Sequence, residues 1–247
     1  MEPLLLVIVA GAALGGFAQG VSGFAFALVA LSIWAWGMAP AQAAVLAVFG
    51  SLVGQLVTLP FVWRGFDWRR ALPLVAGGLA GIPLGASLVG AADGSLFRFG
   101  LGVFLLVYCP LMLFLRPNLE VRFGGRVADT VAGWIGGVMG GFSGLSGPVP
   151  TLWTTLRGWS KDEQRGVLQG FNIAMHAATL TVYAVSGRIH AELAWPMAVT
   201  AVALVPFALA GVTVFRRLST AGFRRLVLLM LCLSGLALVW GAVSAWT

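Results

Sequence analysis

Two short runs carry most of the side chains able to do chemistry in an otherwise apolar chain. One is Ser51, Gln55 and Thr58; the other is Gln169, Asn172, His176 and Thr179. Spacings of three and four put each set on one face of a helix. A polar stripe is out of place against lipid and natural against a polar cavity. His176 is the one strongly ionisable side chain that falls well inside a predicted span. An ionisable group at that depth is a functional site by default, and histidine titrates near physiological pH, which suits proton coupling. A second group gathers at glycine-rich breaks: Gln19, Ser22 and Gly23, then Ser143, Gly144, Ser146 and Gly147. Ser or Gly at an N-cap and Pro at a first helical position start helices. The free amides of a helix start carry roughly half a positive charge and bind anions. These two groups are the candidate binding residues for a small anion. The plainer alternatives are an interhelical hydrogen-bond network for Asn172 and His176, and close helix packing for Gly11, Gly16 and Gly137.

The elements that position these residues must be membrane helices. Of the 247 residues, 60% are hydrophobic and 9% charged, with mean hydropathy +0.97; a soluble domain is about 25% charged. Six stretches match the roughly 20 residues that cross a bilayer: 40–62, 71–92, 97–115, 161–186, 192–214 and 225–246. Trp63, Trp68, Trp159, Trp195 and Trp246 fall near their ends, as an interfacial belt would have them. Glu2 stands where a cleaved signal peptide would be basic. Cys109 and Cys232 lie in apolar spans and read as free packing residues. The net charge of +7 is scattered among loops, which argues against nucleic acid and for membrane orientation. No CxxC, HExxH or Walker pattern is present, so neither metal nor cofactor is expected.

Two further apolar segments, 3–36 and 128–156, are interrupted by glycine, and they are copies of one another. A shift of 121 residues lays Gly16, Gly20, Ser22 and Gly23 on Gly137, Gly141, Ser143 and Gly144. It also matches Ser51 with Asn172, Gln55 with His176 and Thr58 with Thr179. A shift of 123 matches Pro73 with Pro196 and Pro83 with Pro206. The chain therefore reads as two repeats, 1–120 and 121–247, each a hairpin followed by three spans. If each interrupted segment crossed once, Lys and Arg would divide 7 to 8 between the two faces. If each is a hairpin that leaves where it entered, only Arg98 and Arg188 lie on one face, against 13 on the other. The second division is what the positive-inside rule expects. The predicted fold is thus an all-α polytopic membrane protein of two inverted-topology repeats. Both termini are outside, and the two hairpin tips approach near the midplane.

GFSG at 141–144 also has the G-x-S-G form of rhomboid proteases, with His176 as a base for Ser143. The repeat of the motif at 20–23 counts against an enzyme, because Gln55, the match of His176, cannot act as a base. A duplicated motif lacking a base in one copy reads as a binding cradle. The glycine-rich segments in both halves, with GGFSGLSGPVPTLW at 140–153, resemble the sulfite exporter TauE/SafE family. The second copy fits through Gly140, Gly141, Gly144, Gly147 and Pro150; the first has Gly16, Gly20 and Gly23 but lacks the proline. The resemblance implies a transporter of a bacterial inner membrane that moves sulfite or organosulfonates, usually outward, and no cofactor. An anion channel is the alternative with the same pore chemistry. The sequence leaves monomer and homodimer open.

Overall fold

The computed structural model describes residues 2–34, 37–87, 99–100, 102–103, 105–107, 109–110, 113, 121 and 123–244; the side chains of Glu2, Ser32, Pro40, Arg64, Ser143, Arg224 and Ser234 lie outside the description. Among the described residues every regular element is helical. The first half holds α1 (Glu2–Ser22), α2 (Phe26–Trp34), α3 (Pro40–Val62) and α4 (Trp68–Ser87). The second holds α5 (Gly125–Ser143), α6 (Pro148–Leu156), α7 (Lys161–Val185), α8 (Ala194–Arg217) and α9 (Thr220–Val243). Nine of the nineteen residues of the predicted span 97–115, and Trp246, lie outside the described residues. Within that span Leu105 and Cys109 are fully buried, and Cys109 and Cys232 are free thiols.

Local chemistry sets the boundaries. Pro40 and Pro148 open α3 and α6, where a missing amide costs nothing. Ser160 and Glu163 form a reciprocal capping box at the start of α7. α1 and α5 both end on a glycine in the left-handed region, Gly23 at φ 92° and Gly144 at φ 75°. The Gly23 amide donates to the Gln19 carbonyl at 2.7 Å, and the Gly144 amide to the Gly140 carbonyl at 2.8 Å. A residue with a Cβ resists this conformation, so the chain breaks at the same place in both copies.

After each break the chain turns back along the helix it has left. Trp34 Nε1 donates to the Ile8 carbonyl at 3.3 Å, and Gly37 packs beside Val7. In the second copy Trp153 Nε1 donates to Asp129 Oδ1 at 2.7 Å, and the Val121 amide to the Leu156 carbonyl at 2.8 Å. Each helix–break–helix unit closes at the end where it began. The limbs are unequal. α1 has 21 residues, about 32 Å at 1.5 Å per residue, so the first limb alone is long enough to cross a bilayer. Gly11, Gly15, Gly16 and Gly20 do not bend it, because they serve as contact points for Trp34, Phe26, Leu204 and Ala208.

Among the described residues four helices have the length and apolar composition of a membrane span: Pro3–Ser22, Ala41–Val62, Ala191–Arg217 and Thr220–Val243. The predicted 161–186 and the described part of 71–92, up to Ser87, also form helices, α7 and α4, but polar residues take part of each. Exposed apolar residues such as Leu6, Leu14, Leu72, Val202, Leu233 and Trp240 supply a surface fit for hydrocarbon. Trp63, Trp68 and Trp195 are exposed at helix ends, while Trp159 lies under the Arg70 guanidinium.

The most extensive helix pairs are α4 with α5 and α1 with α8, which the duplication exchanges. Gly137 abuts the Gly78 carbonyl as Gly16 abuts that of Leu204. Gly141 meets Ile82 as Gly20 meets Ala208, and Gly85 meets Val138 as Gly211 meets Phe17. These pairs relate α1 to α5 by 121 residues and α4 to α8 by 126. Relative to α3, α7 runs two residues further, and the connection 186–193 is three residues longer than 63–67. Those five residues account for the change. The proline register of 123 places α8 three residues, nearly one turn, from this packing.

Candidate functional site

α3 and α7 cross inside the bundle and turn their polar stripes toward the two breaks. Ser51, Gln55, Thr58, Gln169, Asn172, His176 and Thr179 are all buried. The focus is the Gly23 carbonyl, freed from helical pairing by the break. It accepts from Gln55 Nε2 at 2.6 Å and from Asn172 Nδ2 at 3.2 Å, one donor from α3 and one from α7. Asn172 Oδ1 in turn accepts from Ser146 Oγ at 3.1 Å. A single side chain therefore links the first break to the second. Phe24 packs on Gly147, and Val48 on Gly144. Gln169 Nε2 donates to the Gln55 carbonyl and, at 3.0 Å, to Thr58 Oγ1. Gln19 Nε2 donates to the Ser51 carbonyl at 2.8 Å.

The break amides are less available than the sequence suggests. Ser22 Oγ donates to the Ala18 carbonyl at 2.8 Å and accepts from the Phe24 and Ala25 amides at 3.3 and 3.2 Å. The two break amides just before α2 are thus taken by the chain itself. At the second break, Pro148 and Pro150 carry no N–H. Open capacity lies in side chains instead. Ser51 Oγ, Gln19 Oε1, Gln55 Oε1, Gln169 Oε1, His176 Nδ1 and Thr179 Oγ1 are buried with no hydrogen-bond partner. A native protein leaves few such groups, and each costs about 1–3 kcal/mol. Three of the six are amide oxygens, which only accept, while the Ser51 and Thr179 hydroxyls can also donate. Ser143 ends α5 at this break, and its side chain lies outside the description.

Sequence reasoning missed Arg165, counting it with the loop cations. The residue lies on α7 one turn before Gln169 and is 1% exposed. Its Nη2 donates to the Gln19 and Gly20 carbonyls, both at 3.1 Å, in the last turn of α1. Its guanidinium carbon stands 5.2 Å from the centre of the Phe215 ring. The signal was present: 165, 169, 172 and 176 continue one stripe toward the helix start. Removing Arg165 from the loop count leaves 12 cations against 2, so the orientation bias is unaffected. Gln164 was missed too. Its Nε2 donates to the Thr151 carbonyl and to the Thr154 and Thr155 hydroxyls at 2.7–3.2 Å, which ties α6 to α7.

The model of the sulfite exporter TauE/SafE family matches residues 7–238, nearly the whole chain. This chain belongs to that family. Its members are transporters, so the protein is a membrane transporter and not an enzyme, and the protease reading of Ser143 with His176 falls away. A probable sulfite/organosulfonate exporter TauE from Cupriavidus necator is similar to it. The two are 27% identical over 242 residues, covering 94% of this chain and 92% of the relative. No solved structure matches. In this family member Gln19, Gln55, Ser146 and Asn172 join α1, α3, the α5–α6 break and α7 in one buried polar cluster.

Proposed function

We propose that the protein is a secondary transporter of a bacterial inner membrane that exports small sulfur-containing anions, sulfite or organosulfonates, by alternating access. The observation that carries this reading is the convergence of Gln55 and Asn172, one from each repeat, on the Gly23 carbonyl, among buried polar atoms without partners. The proposed binding set is Gln19, Ser22, Gly23, Ser51, Gln55, Ser143, Gly144, Ser146, Gly147, Gln169, Asn172 and His176. Repeats 1–120 and 121–247 are inverted relative to one another, with both termini periplasmic, and rock about this cluster. A carrier is favoured over a channel because Gln55, Thr58 and Asn172 are 0% exposed. The site is sealed, whereas a conducting pore needs a continuous path.

Purified protein in proteoliposomes is expected to take up labelled sulfite saturably, with stimulation by sulfite trapped inside. Flux that rises linearly with concentration and ignores the trapped anion would overturn the carrier. His176 is the proposed proton-coupling group. An unchanged pH dependence of transport in His176→Gln would remove it from that role.

A further inference from the structure

We infer that Arg165 is the charge-recognising group of the transport site, and that it selects a singly charged sulfur oxyanion over a doubly charged one. The inference rests on the transport reading above and names the ligand class of that site. Three observations carry it, and they concern different atoms.

First, Arg165 is a buried cation without a carboxylate partner among the described residues. The acids nearest in sequence, Asp162 and Glu163, lie at the start of α7. Glu163 is engaged by Ser160 and by Arg70, the latter at 3.2 Å. An ammonium or guanidinium taken out of water costs several kcal/mol unless a negative group meets it.

Second, its hydrogen bonds are incomplete. A guanidinium offers five N–H donors. Nη2 serves two carbonyls, while Nε and Nη1 are fully buried with no acceptor. Nη1 lies against the Cα of Gly23, where a Cβ would stand 2.5 Å from it. The unused donors therefore sit at the break whose carbonyl holds Gln55 and Asn172. Lys161 stands over the same Phe215 ring, 5.2 Å from its centre, but donates to the Leu218 carbonyl at 2.6 Å, and the donors at the break itself are neutral amides and hydroxyls. Three N–H groups in one plane suit the oxygens of a sulfite or sulfonate group.

Third, the charge balance favours one negative charge over two. Gln19 and Gly20 belong to the C-terminal turn of α1, whose dipole amounts to roughly −0.5 charge. The guanidinium is thus partly compensated already. A monoanion takes the site from about +0.5 to about −0.5, whereas a dianion takes it to about −1.5, a far larger uncompensated charge in a buried site. The other repeat offers no second cation, because the residue 121 positions before Arg165 is Ala44. The position matching Arg165 in the first half is thus uncharged.

The test is ligand-dependent thermal stabilisation of the purified full-length protein, with transport in proteoliposomes alongside. The probes are methanesulfonate, a monoanion; dimethyl sulfone, its neutral counterpart of similar shape; and sulfate and inorganic phosphate. A ligand that binds the native state raises apparent stability. Methanesulfonate is expected to stabilise wild-type protein at a concentration at least about tenfold lower than sulfate or dimethyl sulfone, the ratio of one charge-assisted hydrogen bond. Arg165→Gln should weaken methanesulfonate by about 10- to 100-fold on the same reasoning, and Arg165→Lys should keep the preference for charged over neutral probe. Equal stabilisation by dimethyl sulfone, or a preference for sulfate, would overturn the proposal on wild-type protein alone, whether or not the variant folds. Sulfite transport by Arg165→Gln with an unchanged KM would overturn it while leaving the transporter reading in place. Wild-type protein that neither binds nor moves any sulfur anion would instead bring down the transporter reading.

Discussion

Asn172 is the most informative side chain to remove, because its two hydrogen bonds hold the two breaks together. It is fully buried, donates to the Gly23 carbonyl at 3.2 Å and accepts from Ser146 Oγ at 3.1 Å. Asn172→Ala does not orphan the Gly23 carbonyl, which keeps Gln55 at 2.6 Å. It does orphan the Ser146 hydroxyl. In water-soluble proteins a buried donor left unpaired costs about 1–3 kcal/mol. Among membrane helices such pairs average about 0.6 kcal/mol and reach about 1.7, since the reference state finds other partners. The lower scale applies here. The expected coupling between Asn172→Ala and Ser146→Ala in a double-mutant cycle is about 0.6–1.7 kcal/mol. With the packing lost around a shortened side chain, Asn172→Ala alone should cost about 1–2 kcal/mol. That corresponds to a fall in apparent Tm of about 2–8 °C for a chain of this size. Thermal unfolding in detergent, followed by the monodisperse fraction, reads the shift, and sulfite counterflow reads the site. An apparent Tm unchanged in Asn172→Ala, with no coupling to Ser146, would refute the claim that this side chain fastens the repeats together.

Other consequences are independent of that link. Gly137→Ala drives a methyl group into the Gly78 carbonyl, whereas Gly241→Ala meets nothing within 4 Å. The first should lose about 1–3 kcal/mol by overpacking, and the second should be neutral or slightly stabilising; equal thermal stability of the two variants would contradict the glycine-mediated α4–α5 contact. Cysteine labelling in intact cells, in a Cys109→Ala/Cys232→Ala background, should place the N-terminus and the 116–126 connection in opposite compartments. Labelling of both from the same side would dismantle the inverted arrangement and the convergent hairpins with it.

How much of this could be read beforehand divides along a physical line. The polar stripes of α3 and α7 were legible because helical periodicity is local. The helix breaks were legible because Gly23 and Gly144 are residues that a left-handed turn demands. The role of Ser22 was not, because whether its hydroxyl faces a ligand or accepts from the Phe24 and Ala25 amides ahead of α2 depends on a rotamer that no composition records. Arg165 was misplaced for a related reason. It sits near a loop in sequence, and only the approach of α1's last turn from 145 residues away takes it out of water. The proline register between α4 and α8 failed because the longer α7 and its connection shift where the helices meet, and glycine contacts, not prolines, fix the interface.

By itself the sequence determined the solvent of this protein, the places where its helices break and the polar faces its helices would have to hide. Those properties follow from composition and from spacings of a few residues, which survive any arrangement of the chain. Tertiary structure alone decided which polar groups meet. The Gly23 carbonyl takes its donors from residues 32 and 149 positions away, and the cation beside it lies at a position with no charged counterpart in the other repeat. Such contacts arise from packing two copies against each other, and a pattern written along one chain does not contain the distances between them.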